Sequence, residues 1–371
     1  MLKNVDNNKV PFGIERLELG EKFTGNIFLF YVFDIGDEIV FDVIRKKGLL
    51  SLRETPRSPY FKNYHIPLSF DLPVGEIADV KHISVISKLY NFGAISLCYQ
   101  IPFDDSLDDL KGQLVDIYEI YNRKSDEDVK AVFNKIYPAI EKPQFYQMKN
   151  SYYIVQVNPS QKNIAPEDFK EQYGSKIASL LRLETQSLSD YQEADILDYT
   201  TGYYGKDFMI FDSEASFIYD DEYFETLEFF ESANIQLLEL QYFDKFLDKS
   251  LEAFYLKPLA IPWQAYIPIV GRKFSTPISK LARMRVDISV IVERLDSSIK
   301  MVGDAYYSQV YSMLYEKLSL QSWQESINKK LDIIEDLYTV YQHQLELLHE
   351  EILTIVIILL IAVEAVLAFV K

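Results

Sequence analysis

The chain has 371 residues, 48% hydrophobic and 14% aromatic, enough for a sizeable core spread over about two or three domains. Its 56 acidic against 38 basic residues give a formal charge of −18, which repels phosphate backbones and excludes nucleic acid as a direct partner of the surface as a whole. A single cysteine, Cys98, excludes an internal disulfide and suits a reducing compartment; inside SLCYQI it reads as an inert buried thiol.

The N-terminus, MLKNVDNNKVPFG, holds no apolar run that could serve as a signal-peptide core, so residues 1 to about 350 are expected to stay on the side where they are made. Segments 26–44 and 82–101 each carry two aromatic and β-branched runs around Gly36 or Gly93, which predicts two β-hairpins. Asp34, Asp37 and Glu38 then read as turn residues. After Pro102 the spacing of Leu107, Leu110, Leu114, Ile117 and Ile120 behind an acidic first turn predicts a helix. A strand over 151–158, a helix over 166–183, a third hairpin over 208–221 and a long helix over 221–255 follow. Residues 1–256 are thus expected to form an α+β body, with a candidate subdomain split near 140–150.

Residues 257–278 form a Pro-rich joint with Pro258, Pro262, Pro268 and Pro277, the best domain boundary in the chain. Beyond it, apolar residues from Ile288 to Leu318 recur at helical spacing, interrupted only by Gly303. Ser322 and Glu325 fit an S-x-x-E capping box, predicting a turn into a second helix packed antiparallel on the first. From there Ile327, Leu331, Ile334, Tyr338, Tyr341, Leu345, Leu348 and Ile352 alternate steps of four and three. That heptad seam marks 279–351 as a helical hairpin or coiled-coil stalk, packing either on its own hairpin partner or on another subunit. No Pro or Gly occurs from Ser322 onward, so one helix of about fifty residues, roughly 75 Å, could carry stalk and anchor together.

Residues Ile352–Val370 are apolar or small except Thr354 and Glu364, and nineteen helical residues reach roughly 28 Å, close to the ~30 Å of a bilayer core. The expectation is a transmembrane helix in the lipid bilayer, and, with only Lys371 following, a tail anchor. Loop charge is silent on orientation, because no Lys or Arg lies between Lys330 and Lys371. A carboxylate near the bilayer centre costs at least ~2.5 kcal/mol, so Glu364 is expected to meet protein or headgroups. A protonated carboxyl bonding between identical helices, a contact with a lipid headgroup or with Lys371 of a neighbouring chain, and a cation-lining ring all satisfy that requirement.

Catalytic signatures are missing. Neither G-x-x-x-x-G-K-[ST] nor G-x-G-x-x-G nor G-x-S-x-G occurs, and no cofactor is implied. The four histidines, His65, His82, His343 and His349, make no H-E-x-x-H and have no cysteine pair to complete a zinc set. The run Asp220-Asp221-Glu222 has two readings: a divalent-cation or acid/base site for a metal-dependent hydrolase, or an acidic cap at the start of the following helix, which is favoured.

The stretches VGDAYYSQVYSML (302–314), WQESINKKLDIIEDLYTVY (323–341) and EILTIVIILLIAVEAVLAF (351–369) resemble the required-for-meiotic-nuclear-division family. In that family an acidic residue opens the terminal membrane span and a second lies inside it, matching Glu351 and Glu364. FDIGDEIVF (33–41) is similar to the family's F-x-x-G-x-x-V-F pattern, with Asp42 where members often carry tryptophan, and ANIQLLELQYFDKFLD (233–248) looks like a stretch of the bacterial branch. The resemblance implies an inner-membrane-anchored, self-assembling protein, associated in mitochondria with organellar translation, and brings no catalytic set. The expected function is therefore a self-associating scaffold or tether that holds an unidentified protein partner, its body on the cytoplasmic side. An oligomeric ion pathway through Glu364 and the hydrolase are the alternatives.

Overall fold

The computed structural model describes residues 21–54, 67–72, 84–143, 145, 148–159, 164–184, 186–256, 285–286, 288–289 and 305–370. At its centre lies the run Ile27 to Phe33, apolar at every position, which needs cover on both faces. As strand β1 (Lys22–Asp34) it sits between β6 (Ala94–Ser106) and β8 (Lys149–Val157), antiparallel to both. Beyond β6 come β5 (Ser84–Leu89), β4 (Leu68–Asp71) and β3 (Leu52–Arg53). Beyond β8 come β11 (Ala215–Tyr219), β10 (Phe208–Phe211) and β9 (Thr200–Thr201), completing one nine-stranded sheet. Among the described strands only the β8–β11 pair is parallel, and the connection between them runs through α3 (Pro166–Leu181) and α4 (Asp190–Asp198) before β9 and β10.

Alternation along β1 divides the core into two layers. Leu29, Tyr31 and Phe33 pack beneath α2 (Leu107–Ile136) and α3, while Phe28 and Phe30 face α5 (Phe224–Leu256), α6 (Ala305–Lys317) and α7 (Leu320–Val370). The protein body is thus an α+β structure with helices on both faces of a large sheet. An amide ladder pins the register across the second face: Ser84 donates to Gln100 (3.1 Å), Gln100 to Asn26 (3.0 Å), and Asn26 to Gln156 (2.8 Å).

The hairpins expected over 82–101 and 208–221 are present as β5–β6 and β10–β11, the first turning at Gly93 with φ +103°. The hairpin expected over 26–44 is not. β1 runs on to Asp34 and pairs with β6 and β8, because its seven apolar residues are buried from both sides. Past Gly36 the chain leaves the sheet as β2 (Gly36–Ile39), which pairs with β7 (Ile140–Pro143), and then coils as α1 (Phe41–Lys47). Asp42 in the first turn of α1, basic residues in its last turn and Gly48 at φ +58° all favour that helix over a strand.

The capping box at Ser322 and Glu325 does not form either. Ser319, at φ +52°, breaks the chain earlier, and its carbonyl accepts from the amides of Ser322 (3.1 Å) and Trp323 (3.3 Å). Glu325 instead accepts from Gln321 (2.9 Å), and burial of Leu320 draws the helix start forward. The Pro-rich joint, His65, His82 and Gly303 lie outside the described residues.

At Gly25 a Cβ would collide with the backbone carbonyl of Gln156 on β8, so the two strands close only around glycine. Gly25→Ala is expected to lower stability by about 2–3 kcal/mol, read from urea unfolding of the full chain; an unchanged midpoint would show that the strands separate freely.

Candidate functional site

Helix α7 joins two environments. Over Glu346–Ala368 it is 23 residues long, apolar enough to cross a membrane, and none of it is buried against the rest of the protein. Glu351 and Glu364 are both exposed. They stand thirteen residues apart, so at about 100° per residue they point roughly 140° away from each other around the helix. No single flat contact covers both.

The other end of α7 is rooted in the body. Ile327, Leu331 and Ile334 are buried against α5 and its neighbours, and Ser326 donates to Asp244 (2.6 Å). Lys330 reaches Asp244 (2.7 Å) and Asp248 (2.6 Å). Burial alone would lower the Lys330 ammonium, but the hydrogen bonds and charges of these two aspartates outweigh it and raise its pKa. The same seam then leaves the body: Tyr338 is exposed and Leu348 half-buried, while the side chains of Tyr341 and Leu345 lie outside the description. Seven seam positions are therefore not one surface. The first three belong to the core, and α7 lies on α5 more than on α6. Nothing in the periodicity distinguished α5 from α6 as the seam's partner; Asp244 and Asp248, one turn apart opposite Lys330, are the signal that could have.

Between α5 and the sheet lie polar groups that the mixed burial of α5 makes conspicuous. Lys88 pairs with Glu231 at 2.6 Å, both almost fully enclosed. Cys98 is buried nearby, and burial, then the charge of Glu231, pushes its thiol up, as an inert thiol requires. Two turns along α5, Glu239 is 4% exposed, and its Oε1 has no hydrogen-bond partner among the described residues. The nearby carboxyl is Asp34, which accepts from the amide of Gly36 (3.1 Å) and so acts as the turn residue expected of it. Glu38 is exposed.

The run Asp220-Asp221-Glu222 closes a turn. Asp220 accepts from the amide of Glu222 (2.9 Å), two residues on, so it caps its own turn and not α5, which begins at Phe224. Burial, then Asp207, raises the Asp220 carboxyl pKa against the lowering effect of that bond. Among the described residues no group of three or more His, Cys, Asp or Glu side chains is placed to hold a metal ion. His343 is exposed and His349 half-buried.

A family model described as "Uncharacterized protein MJ0711, N-terminal domain" matches residues 24–225, from β1 to the start of α5. The chain is similar to "Uncharacterized protein MJ0711" of Methanocaldococcus jannaschii, 24% identical over 208 residues covering 56% of this chain and 62% of the relative. It is also similar to "Sporulation protein RMD1" of Saccharomyces cerevisiae, 24% identical over 136 residues covering 37% of this chain and 32% of the relative. Each match therefore takes in less than two thirds of the relative's own length. No solved structure matches. The yeast match supports the resemblance to the required-for-meiotic-nuclear-division family, and the family model lies on the sheet, upstream of the helices where that resemblance was densest.

Glu239 makes stability depend on pH. Burial, then the charge of Asp34, raises its carboxyl well above the usual range, so the folded chain holds a proton that the unfolded chain releases at about pH 4.3. This group's contribution to stability therefore falls as pH rises from there through its folded-state pKa. Glu239→Gln is expected to flatten that slope and to raise Tm relative to the parent from about pH 5 to 8; parallel Tm profiles would show that Glu239 ionises freely.

Proposed function

The chain belongs to the family described as "Uncharacterized protein MJ0711, N-terminal domain", whose match ends at the start of α5, and we propose that it is a membrane-anchored, self-associating scaffold or tether without intrinsic catalysis. The observation that carries this reading is the uncovered apolar half of α7. Its 23 residues reach roughly 35 Å, enough for the ~30 Å hydrocarbon core with some tilt. In water that surface would stay exposed on every side, whereas lipid accepts it without a protein partner.

Self-association draws its support from the stalk between body and span. From there into the start of the span, the outer seam positions Tyr338 and Leu348 are exposed and half-buried. A second stalk, coiled on the first, would cover them. In this reading α6 and α7 act with the preceding joint as the stalk, and the lone, buried Cys98 together with the acidic surface favours the reducing, cytoplasmic side for the body. The ion-pathway reading keeps one observation in its favour, an exposed carboxylate on the span at Glu364.

Full-length protein is expected to resist alkaline carbonate extraction from membranes and to run as an oligomer by mass photometry in mild detergent. Release by carbonate would remove the anchor, and a clean monomer would remove self-association. Proton or cation flux into liposomes is expected to be the same for the parent and Glu364→Gln; flux lost in the variant would favour the pathway instead.

A further inference from the structure

The turn between β9 and β10 reads Gly202-Tyr203-Tyr204-Gly205-Lys206-Asp207, and one carboxylate shapes it. Asp207 is 7% exposed and accepts from the amides of Tyr203 (2.8 Å) and Tyr204 (2.6 Å). Gly202 has to be glycine, because a Cβ would collide with the carbonyl of Asp207 folded back over it. A closed turn of this kind holds two aromatic side chains outward: Tyr203 is 54% and Tyr204 67% exposed. Their rings meet edge to face at 4.5 Å, and Tyr203 also packs at 4.7 Å on Tyr306 of α6.

Negative charge lies directly behind the rings. Phe208 pairs with Tyr219, which sets Asp207 opposite Asp220 at the end of the β10–β11 ladder. Asp220 is fixed there, its carbonyl accepting from Gln156 of the amide ladder (2.8 Å). Both carboxylates act on Tyr306, raising its phenol beyond what burial does. Asp221, Glu222 and Glu225 are exposed around them. Among the described residues no cation pairs with Asp207 or Asp220 and none lies over Tyr203 or Tyr204, although Lys206 belongs to the same turn.

We propose that this patch docks an arginine side chain from a basic segment of a partner polypeptide, its guanidinium plane lying on the exposed face of one of Tyr203 and Tyr204, whose rings stand at 88° to each other, and its charge balanced by Asp207 and Asp220. Aromatic faces attract cations, and carboxylates behind them strengthen the attraction. The shape of the patch selects among cations. Rings touching at 4.5 and 4.7 Å enclose no empty box for a quaternary ammonium, whereas a planar group stacks on an open ring face. Lysine offers a compact, strongly hydrated charge without that plane. A nucleobase would stack equally well, but its phosphates would meet five carboxylates. This inference names the chemistry of what the scaffold holds; the turn and its carboxylates stand whether or not α7 enters a membrane.

The test uses the full-length chain in detergent, titrated by calorimetry with a blocked five-residue peptide carrying two arginines, its two-lysine twin and its two-citrulline twin. The arginine peptide is expected to bind several-fold more tightly than the lysine twin, with no binding by citrulline. Tyr203→Ala with Tyr204→Ala is expected to weaken it roughly tenfold, and Asp220→Asn several-fold. The paired Tyr→Phe changes keep the rings and should keep binding, which separates loss of the site from loss of the turn. Equal affinity for the arginine and lysine peptides would overturn the proposal. So would affinity unchanged by the double alanine variant, an equal loss in the remote surface variant Glu193→Gln, or displacement by tetramethylammonium in preference to guanidinium.

Discussion

A helix wedged between a sheet and two further helices has no side to leave polar, and α5 meets that condition from Thr226 to Phe243, where no residue is exposed. Toward the sheet, Phe230 packs on Tyr152 and Phe211, with ring centroids at 5.7 and 5.6 Å. Toward α6, the neighbouring Phe229 stacks on Tyr307 at 4.8 Å. Toward α7, Asp244 takes Ser326 and Lys330. The polar residues in the helix are accordingly committed, Glu231 to Lys88, Asn234 back to its own Phe230 carbonyl at 2.9 Å, and Gln236 to the Tyr311 hydroxyl. Glu239 stands out against this background, a buried carboxyl with no cation against it among the described residues, whose pKa is raised by burial and then by the charge of Asp34.

Because α5 packs on the sheet, on α6 and on α7, the apolar half of α7 is mechanically continuous with the sheet. The root of α7 is made by three buried seam residues and one lysine held by two aspartates, and Lys330 is the last basic residue before Lys371. From Ile334 to Glu346, where the apolar stretch begins, twelve residues of helix span roughly 18 Å. If the apolar stretch enters a bilayer, that length stands the body off its surface by about the thickness of one helical layer with its side chains, a segment that carries Glu335, Asp336 and Glu346, with Arg285 paired to Glu335 at 2.6 Å.

Local pattern carried most of the elements into the sequence reading. Helical spacing from Leu107, the Pro-led helix at 166 and the Gly93 turn each needed only short-range information, and each is where the spacing put it. Strand partners did not follow in the same way. An apolar run such as Ile27–Phe33 is equally compatible with a hairpin arm and a central strand, and what decides is the arrival of β6 and β8 from sixty and more residues away. The heptad seam shows the same limit. Its period was correct for a helix, but period alone does not say where burial stops, and here it stops in mid-seam between Ile334 and Tyr338. The turn at Gly202–Asp207 went unread because its signal is a shape, two glycines framing two tyrosines, and not a recognised chemical motif.

Geometry also separates two neighbours that the seam and Glu364 had suggested were one. Counted at about 100° per residue, Glu364 lies roughly 60–120° around α7 from Ile327, Leu331 and Ile334. If the stalk supercoils on the seven-residue repeat the separation widens, because Glu364 then falls on the face opposite the seam. A partner helix lying along the seam would therefore leave the Glu364 carboxyl in lipid, at a cost of ~2.5 kcal/mol or more. Covering both surfaces requires each helix to touch two others, an arrangement that a closed ring of three or more provides and a dimer does not.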